Sequence, residues 1–176
     1  MPMKEICFVS HAVSQTIDVA RKLSHLLKKG DVIGLVGNLG SGKTTFIQGL
    51  ARGLGLRCAI NSPSFVILKI YTRKITLYHF DLYRVQSLKD LEDIGYEDFI
   101  CDSGICVIEW ANRAKQLLPK EYLKVSIAIK GKTARAIRFA GYGLRYHRLL
   151  RVFSGAIAAK KERERRSGKC SSIAPQ

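Results

Sequence analysis

Apolar residues first recur at helical spacing. Ile17, Ala20, Leu23 and Leu27 share one face of a helix capped by Ser14 and running to about Lys29, where Gly30 ends it. The pattern then changes. Asp31 leads into Val32-Ile33-Gly34-Leu35-Val36, a short unbroken apolar run of the kind that forms a buried parallel strand. A glycine-rich loop follows from Gly37 to Gly42. A second helix starts near Lys43, carries Phe46, Ile47, Leu50 and Leu54, and weakens at Gly53 and Gly55. Strand, glycine loop and helix make one βα unit.

Downstream, Pro63 lies in a polar loop from Asn61 to Ser64. Phe65–Tyr71 and Ile75–Phe80 read as two strands joined through Thr72-Arg73-Lys74, a hairpin. Ser87–Ile94 reads as a helix capped by Ser87, with Leu88 and Leu91 inward. Ile105–Ile108 is a further buried strand. Leu123–Ile129 and Ala134–Phe139 form a second hairpin about Lys130-Gly131-Lys132. The chain is therefore α/β, a mixed sheet with antiparallel hairpin additions.

Composition limits the class. With 176 residues, 47% of them hydrophobic and 25% charged, the chain has the make-up of one globular domain, not of a collagen, coiled coil or disordered protein. Lys and Arg number 30 against 14 Asp and Glu, a net charge of +16, which draws the chain toward polyanions. The five cysteines are odd in number and none has CxxC spacing, so the expected compartment is reducing. Lys4 and Glu5 interrupt the first apolar residues, and runs such as Ile105–Ile108 are far too short to span a bilayer. A cytoplasmic protein without a membrane partner is expected.

Charge is not spread evenly. The segment after Gly141 holds nine Lys and Arg residues against Glu162 and Glu164, seven of the sixteen net charges. The pattern divides the chain into a domain over residues 1–141 and a basic C-terminal extension over 142–176. In that extension Tyr142–Ala159 reads as an amphipathic helix and Lys160–Gln176 as disordered.

The chemistry centres on Gly37-Asn38-Leu39-Gly40-Ser41-Gly42-Lys43-Thr44, which matches GxxxxGK[ST], the phosphate-binding P-loop. Its glycines let the backbone turn tightly and present successive N–H groups to phosphate, helped by the positive end of the following helix. Lys43 sets a positive charge against the β- and γ-phosphates, and the Thr44 hydroxyl can ligate Mg2+. Asn38, Leu39, Gly40, Ser41, Gly42, Lys43, Thr44 and Thr45 are the residues expected on the nucleotide. The expected fold is P-loop NTPase-like, in three layers, with ATP and Mg2+ as ligands. Neither the guanine-reading Asn-Lys-x-Asp nor the Asp-x-x-Gly that GTPases carry after the second strand occurs downstream of the glycine loop, which favours ATP.

Such a loop works with an acid at the end of a neighbouring strand. Asp81 and Glu109 each end an apolar run. Either is a metal partner or a solvated strand-end carboxylate, and together they could divide metal holding from water positioning. His79 is a buried sheet histidine or a base, Arg84 a solvated or phosphate-directed charge, and Trp110 a core residue or a neighbour of the nucleotide. Asn61-Ser62-Pro63-Ser64-Phe65 is an ordinary turn or a switch loop.

Read together, these segments resemble the TsaE family, small bacterial P-loop ATPases that take part in forming threonylcarbamoyladenosine in tRNA. The resemblance runs over about Ser14 to Phe139 and rests on Gly30-Asp31-Val32-Ile33, the P-loop, Ser62-Pro63-Ser64-Phe65, His79-Phe80-Asp81-Leu82-Tyr83-Arg84, Leu91-Glu92-Asp93-Ile94-Gly95 and Val107-Ile108-Glu109-Trp110. It implies that Ser62–Phe65 is a nucleotide-sensing switch, with Ser64 where the family has threonine. It implies that Lys43, Asp81 and Glu109 are catalytic and that Thr44, Asp81 and Glu109 serve the metal. It also implies TsaB and TsaD as partners, with tRNA met indirectly or through the basic extension. The alternatives are a small-molecule or nucleoside kinase and an RNA-binding module that merely binds nucleotide.

Overall fold

In the computed structural model, Val32–Val36 forms β2, at the middle of a seven-stranded sheet. The other strands are β1 (Glu5–Ser10), β3 (Leu68–Thr72), β4 (Thr76–Asp81), β5 (Ile105–Glu109), β6 (Tyr122–Ile129) and β7 (Arg135–Tyr142). Their spatial order is β1-β7-β6-β2-β5-β4-β3. β2 pairs in parallel with β5 and β6, and β5 in parallel with β4. The pairs β3–β4, β6–β7 and β1–β7 are antiparallel. The structure describes residues 5–57, 59–63, 66–85, 91, 95–100 and 104–169.

Both predicted hairpins form. The first begins later than expected, at Leu68 instead of Phe65, because the N–H groups of Val66 and Ile67 turn back onto the Pro63 carbonyl. β1 escaped sequence reading. It alternates Ile6 and Phe8 inward with Glu5, Cys7 and Val9 outward, but its ladder partner is β7, at the other end of the chain. The helix expected over Ser87–Ile94 lies almost wholly outside the described residues; Leu91, which is described, is buried.

Alternation along the central strands gives the sheet two apolar faces. Ile33 and Leu35 of β2, Val107 of β5 and Val125 of β6 meet one set of helices. These are α1 (Val13–Ser24) and α2 (Lys43–Gly53), with Val19, Leu23, Phe46, Ile47 and Leu50 in the core. Val32, Phe80, Cys106 and Ile108 face α3 (Tyr96–Ile100) and a 3-10 segment, Ala111–Leu117. The result is the three-layer α/β arrangement expected.

α1 differs from the prediction at both ends. Ser14 is not its cap: the helix starts after Ala12, and Gln15 Oε1 accepts the His11 N–H at 2.8 Å. It stops at Ser24, and the chain turns through Leu26 and Leu27 before left-handed Gly30 (φ 82°). α1 and α2 lie close because Gly49 has no side chain: a Cβ there would sit 2.5 Å from the Ile17 carbonyl oxygen.

The division at Gly141 does not hold. A fourth helix, α4 (Leu144–Lys169), begins just beyond it, and Tyr146, Leu149, Leu150 and Phe153 are buried in the main core. The Tyr146 hydroxyl accepts the Val32 N–H at 2.7 Å, and burial raises its pKa well above the usual tyrosine value. Arg145 grips buried Asp31 through Nε at 3.1 Å and Nη2 at 2.7 Å. The folded unit thus extends through Phe153. Nor does the helix stop at Ala159; it continues to Lys169, through a run of Lys, Glu and Arg, all good helix formers. No helix among the described residues is long and apolar enough to cross a membrane.

Candidate functional site

The candidate residues gather where the parallel strands end. Register accounts for this. Glu109 pairs with Leu35, two residues before Gly37, and Asp81 pairs with Glu109. One row across β2, β5 and β4 therefore carries the start of the glycine loop and both acids. Crevices at the carboxyl ends of parallel strands are where α/β sheets take ligands.

The loop from Gly37 to Gly42 is held tightly. A Cβ on Gly37 would lie 2.4 Å from the Ile127 carbonyl oxygen of β6, so only glycine fits. Gly40 and Gly42 take left-handed φ values of 72° and 100°. The Ser41 N–H closes a turn onto the Asn38 carbonyl at 3.1 Å, and the Phe46 N–H bonds the Gly42 carbonyl at 2.9 Å as α2 starts.

Lys43 is buried in this loop. Its ammonium donates to the Gly37 carbonyl at 3.0 Å and the Asn38 carbonyl at 3.1 Å, and lies 3.7 Å from the centre of the Trp110 ring. Burial lowers its pKa below the usual lysine value, while the charges of Glu109 and Asp81 oppose that shift.

The two acids have different partners. Glu109 Oε1 accepts the Thr44 hydroxyl at 2.9 Å and faces His79 Nε2 at 3.0 Å. Asp81 Oδ2 accepts the Ser62 hydroxyl, and its Oδ1 accepts the Tyr83 N–H at 2.9 Å. Both carboxylates and His79 are buried. So neither acid is a solvated strand-end charge. His79 is a buried sheet residue, as alternation predicted, and also hydrogen-bonds the acid on the next strand.

A cleft of about 470 Å³ opens here, lined among others by Thr44, Asp81, Glu109, Arg84 and Trp110. Leu39, Gly40, Gly42, Lys43 and Thr45 also line it. Ser41 lies behind, fully buried, its hydroxyl without a hydrogen-bond partner among the described residues. Asn38 contributes through its carbonyl. Ser64 lies outside the described residues, so only the Ser62 side of the proposed switch is seen beside Asp81.

The donor set suits a hard divalent cation. Among the described residues no group of three His, Cys, Asp or Glu gathers. What the cleft offers a cation is the Thr44 hydroxyl bonded to Glu109 and a second carboxylate, Asp81, nearby, the sparse oxygen set that Mg2+ takes when phosphate and water supply its remaining ligands. Thr44, Glu109 and Asp81 could hold such an ion, and the glycine loop with Lys43 could hold the phosphates.

Sequence reasoning missed Tyr83, Arg113 and Arg135. Tyr83 packs at a tilt of 43° against Trp110 with ring centroids 5.0 Å apart, and Arg113 bonds the Tyr83 carbonyl beside that pair. Arg135 reaches the loop from β7. Each contact arises from tertiary placement and leaves no local pattern. For Tyr83 a signal existed, since it stands two residues after Asp81.

Residues 10–137 match the model of the family described as threonylcarbamoyl adenosine biosynthesis protein TsaE. The chain is 37% identical over 153 residues to the tRNA threonylcarbamoyladenosine biosynthesis protein TsaE of Bacillus subtilis (strain 168), covering 86% of this chain and 96% of the relative. It is 39% identical over 132 residues to the protein of the same name from Treponema pallidum (strain Nichols), covering 75% and 98%. The crystal structure of YdiB from Bacillus subtilis superposes with a TM-score of 0.77 at 32% identity, over 89% of this chain and 98% of that one.

Proposed function

The chain belongs to the TsaE family of tRNA threonylcarbamoyladenosine biosynthesis proteins, and from that premise we propose that it is a Mg2+-dependent ATPase. It serves as the nucleotide-driven component of the machinery that forms threonylcarbamoyladenosine in tRNA, working with TsaB and TsaD. The observation that carries the reading is the hydrogen bond from Thr44 to Glu109, 2.9 Å long. It joins the hydroxyl that follows the P-loop lysine to a buried acid at the end of a neighbouring strand, the pair of groups through which P-loop NTPases hold Mg2+.

The residues divide the work. Backbone N–H groups of the glycine loop bind the phosphates, and Lys43 balances charge on the β- and γ-phosphates. Thr44, Glu109 and Asp81 hold Mg2+, which supplies charge neutralisation at the phosphate oxygens. His79 keeps Glu109 in place by its hydrogen bond. Asp81 is tied to Ser62 and to the Tyr83 backbone, and in this reading it is the acid that would also orient the attacking water. Tyr83 and Trp110 wall the cleft beside Lys43.

The test is ATP turnover by wild type and Lys43→Ala, each alone and with TsaB–TsaD. Expected are low activity for the lone chain, higher activity in the complex, and none from Lys43→Ala in either setting. Turnover by Lys43→Ala equal to wild type refutes the phosphate-loop assignment. Full activity of the lone chain, unaltered by the partners, refutes the dependence on the complex.

A further inference from the structure

We propose that Arg135 is a positioning residue for the phosphate loop, holding the Gly40 and Ser41 peptides from behind so that the loop is set before nucleotide arrives. The inference rests on the nucleotide-binding reading above. Arg135 opens β7, ninety-four residues from Ser41 in sequence, yet its Nε donates to the Ser41 carbonyl at 3.0 Å and its Nη2 to the Gly40 carbonyl at 3.3 Å. Its Nη1 donates to the Gly131 carbonyl at 3.1 Å and the Ala134 carbonyl at 2.9 Å, within the turn between β6 and β7. One guanidinium thus staples that turn to the glycine loop through four backbone carbonyls.

The chemistry shows what the staple does. In a trans peptide the C=O and the following N–H point in opposite directions. Fixing the Ser41 carbonyl on Arg135 turns the Gly42 N–H away from Arg135, and Gly42 lines the cleft. The segment being fixed needs a holder. Gly40 and Gly42 are both left-handed, and glycine gives the unbound loop wide conformational freedom. The Ser41 side chain supplies no anchor, since its buried hydroxyl has no partner among the described residues. Four of the five guanidinium N–H groups are used on carbonyls, so Arg135 acts through the loop backbone instead of binding phosphate itself. A lysine ammonium lacks the planar fork needed to bridge the two segments.

The experiment measures ADP affinity by calorimetry, at low and high salt, for full-length wild type, Arg135→Lys, Arg135→Ala and the same-strand control Arg138→Ala. Thermal melting is followed alongside. Both Arg135 variants are expected to bind ADP about tenfold more weakly, the scale of losing a charge-assisted hydrogen bond. The loss should be equal at both salt levels, and Arg138→Ala should match wild type. Faster amide hydrogen exchange over Gly40–Gly42 in nucleotide-free Arg135→Lys is the second readout, and it stands even if Arg135→Ala does not fold. Wild-type ADP affinity in folded Arg135→Lys overturns the proposal, as does a loss that vanishes at high salt, which marks a direct charge effect. No ADP binding by wild type itself overturns the nucleotide reading and this proposal with it.

Discussion

Cutting the chain after Gly141 should unfold it, whereas cutting after Ala158 should not. The first cut removes Leu149, Leu150 and Phe153, all buried in the main core. At about 1.5–3 kcal/mol each, their burial is worth roughly 5–9 kcal/mol. That approaches the whole stability of a typical domain, about 5–15 kcal/mol. Two further losses add to it. Asp31, which is buried, loses Arg145, and the Val32 N–H at the start of β2 loses the Tyr146 hydroxyl. Leaving a buried carboxylate without its cation costs about 3–5 kcal/mol in general, and nearer the lower end here because Arg145 is 26% exposed. Circular dichroism and calorimetric ADP titration on the two truncated chains provide the assay. The chain ending at Gly141 should show no cooperative melt and bind no ADP; the one ending at Ala158 should melt and bind as full length does. Phe153→Ala grades the same effect, losing about 3–5 kcal/mol and roughly 6–20 °C in Tm. A cooperative melt and normal ADP binding by the chain ending at Gly141 would refute the claim that α4 belongs to the core.

Asp81→Asn and Glu109→Gln should each lower single-turnover ATP hydrolysis by about a hundredfold or more while weakening ADP binding far less, because metal and water placement matter most in the transition state. A variant that turns over normally in the full complex would remove that acid from the mechanism. Trp110, the one tryptophan in the chain, should change its emission when ADP binds, since Lys43 sits over its ring. An unchanged spectrum at saturating ADP would show that Lys43 does not move relative to it. Removing the residues after Ala158 should flatten the salt dependence of tRNA binding and leave ADP affinity intact, because each basic residue that neutralises a phosphate contributes to the salt slope. Identical slopes would leave the basic end of α4 without a role in tRNA binding.

Much of the fold could be read from the chain because its signals are local. The run Val32–Val36, the eight-residue motif Gly37–Thr44 and the alternating hairpins are each written in one contiguous stretch of sequence. β1 could not be read in the same way. Its alternation is masked by Cys7 and Val9 on the outer face, and it gains its place only by pairing with β7. The end of the domain was misjudged for a related reason. Arg145, Arg148 and Arg151 give the start of α4 the charge of a tail, but Tyr146, Leu149, Leu150 and Phe153 recur between them at helical spacing and face inward. Net charge assigns this amphipathic helix to an extension, whereas its apolar face packs into the main core.

At the site, spacing exposed both acids but could not distinguish them, since each simply ends an apolar strand. The hydrogen bonds do distinguish them. Glu109 joins Thr44 of the phosphate loop and is backed by His79 from within the sheet, so both of these partners are fixed by the rigid βα scaffold. Asp81 joins Ser62, in the connection between α2 and β3, and the backbone of Tyr83 just past β4. One acid is thus tied to the part of the site that holds phosphate, and the other to the loops beside it. That division depends on which side chains the parallel register brings within hydrogen-bonding range. Thr44 and Glu109 stand sixty-five residues apart in sequence, and Ser62 and Asp81 nineteen, so no local spacing rule could have paired them.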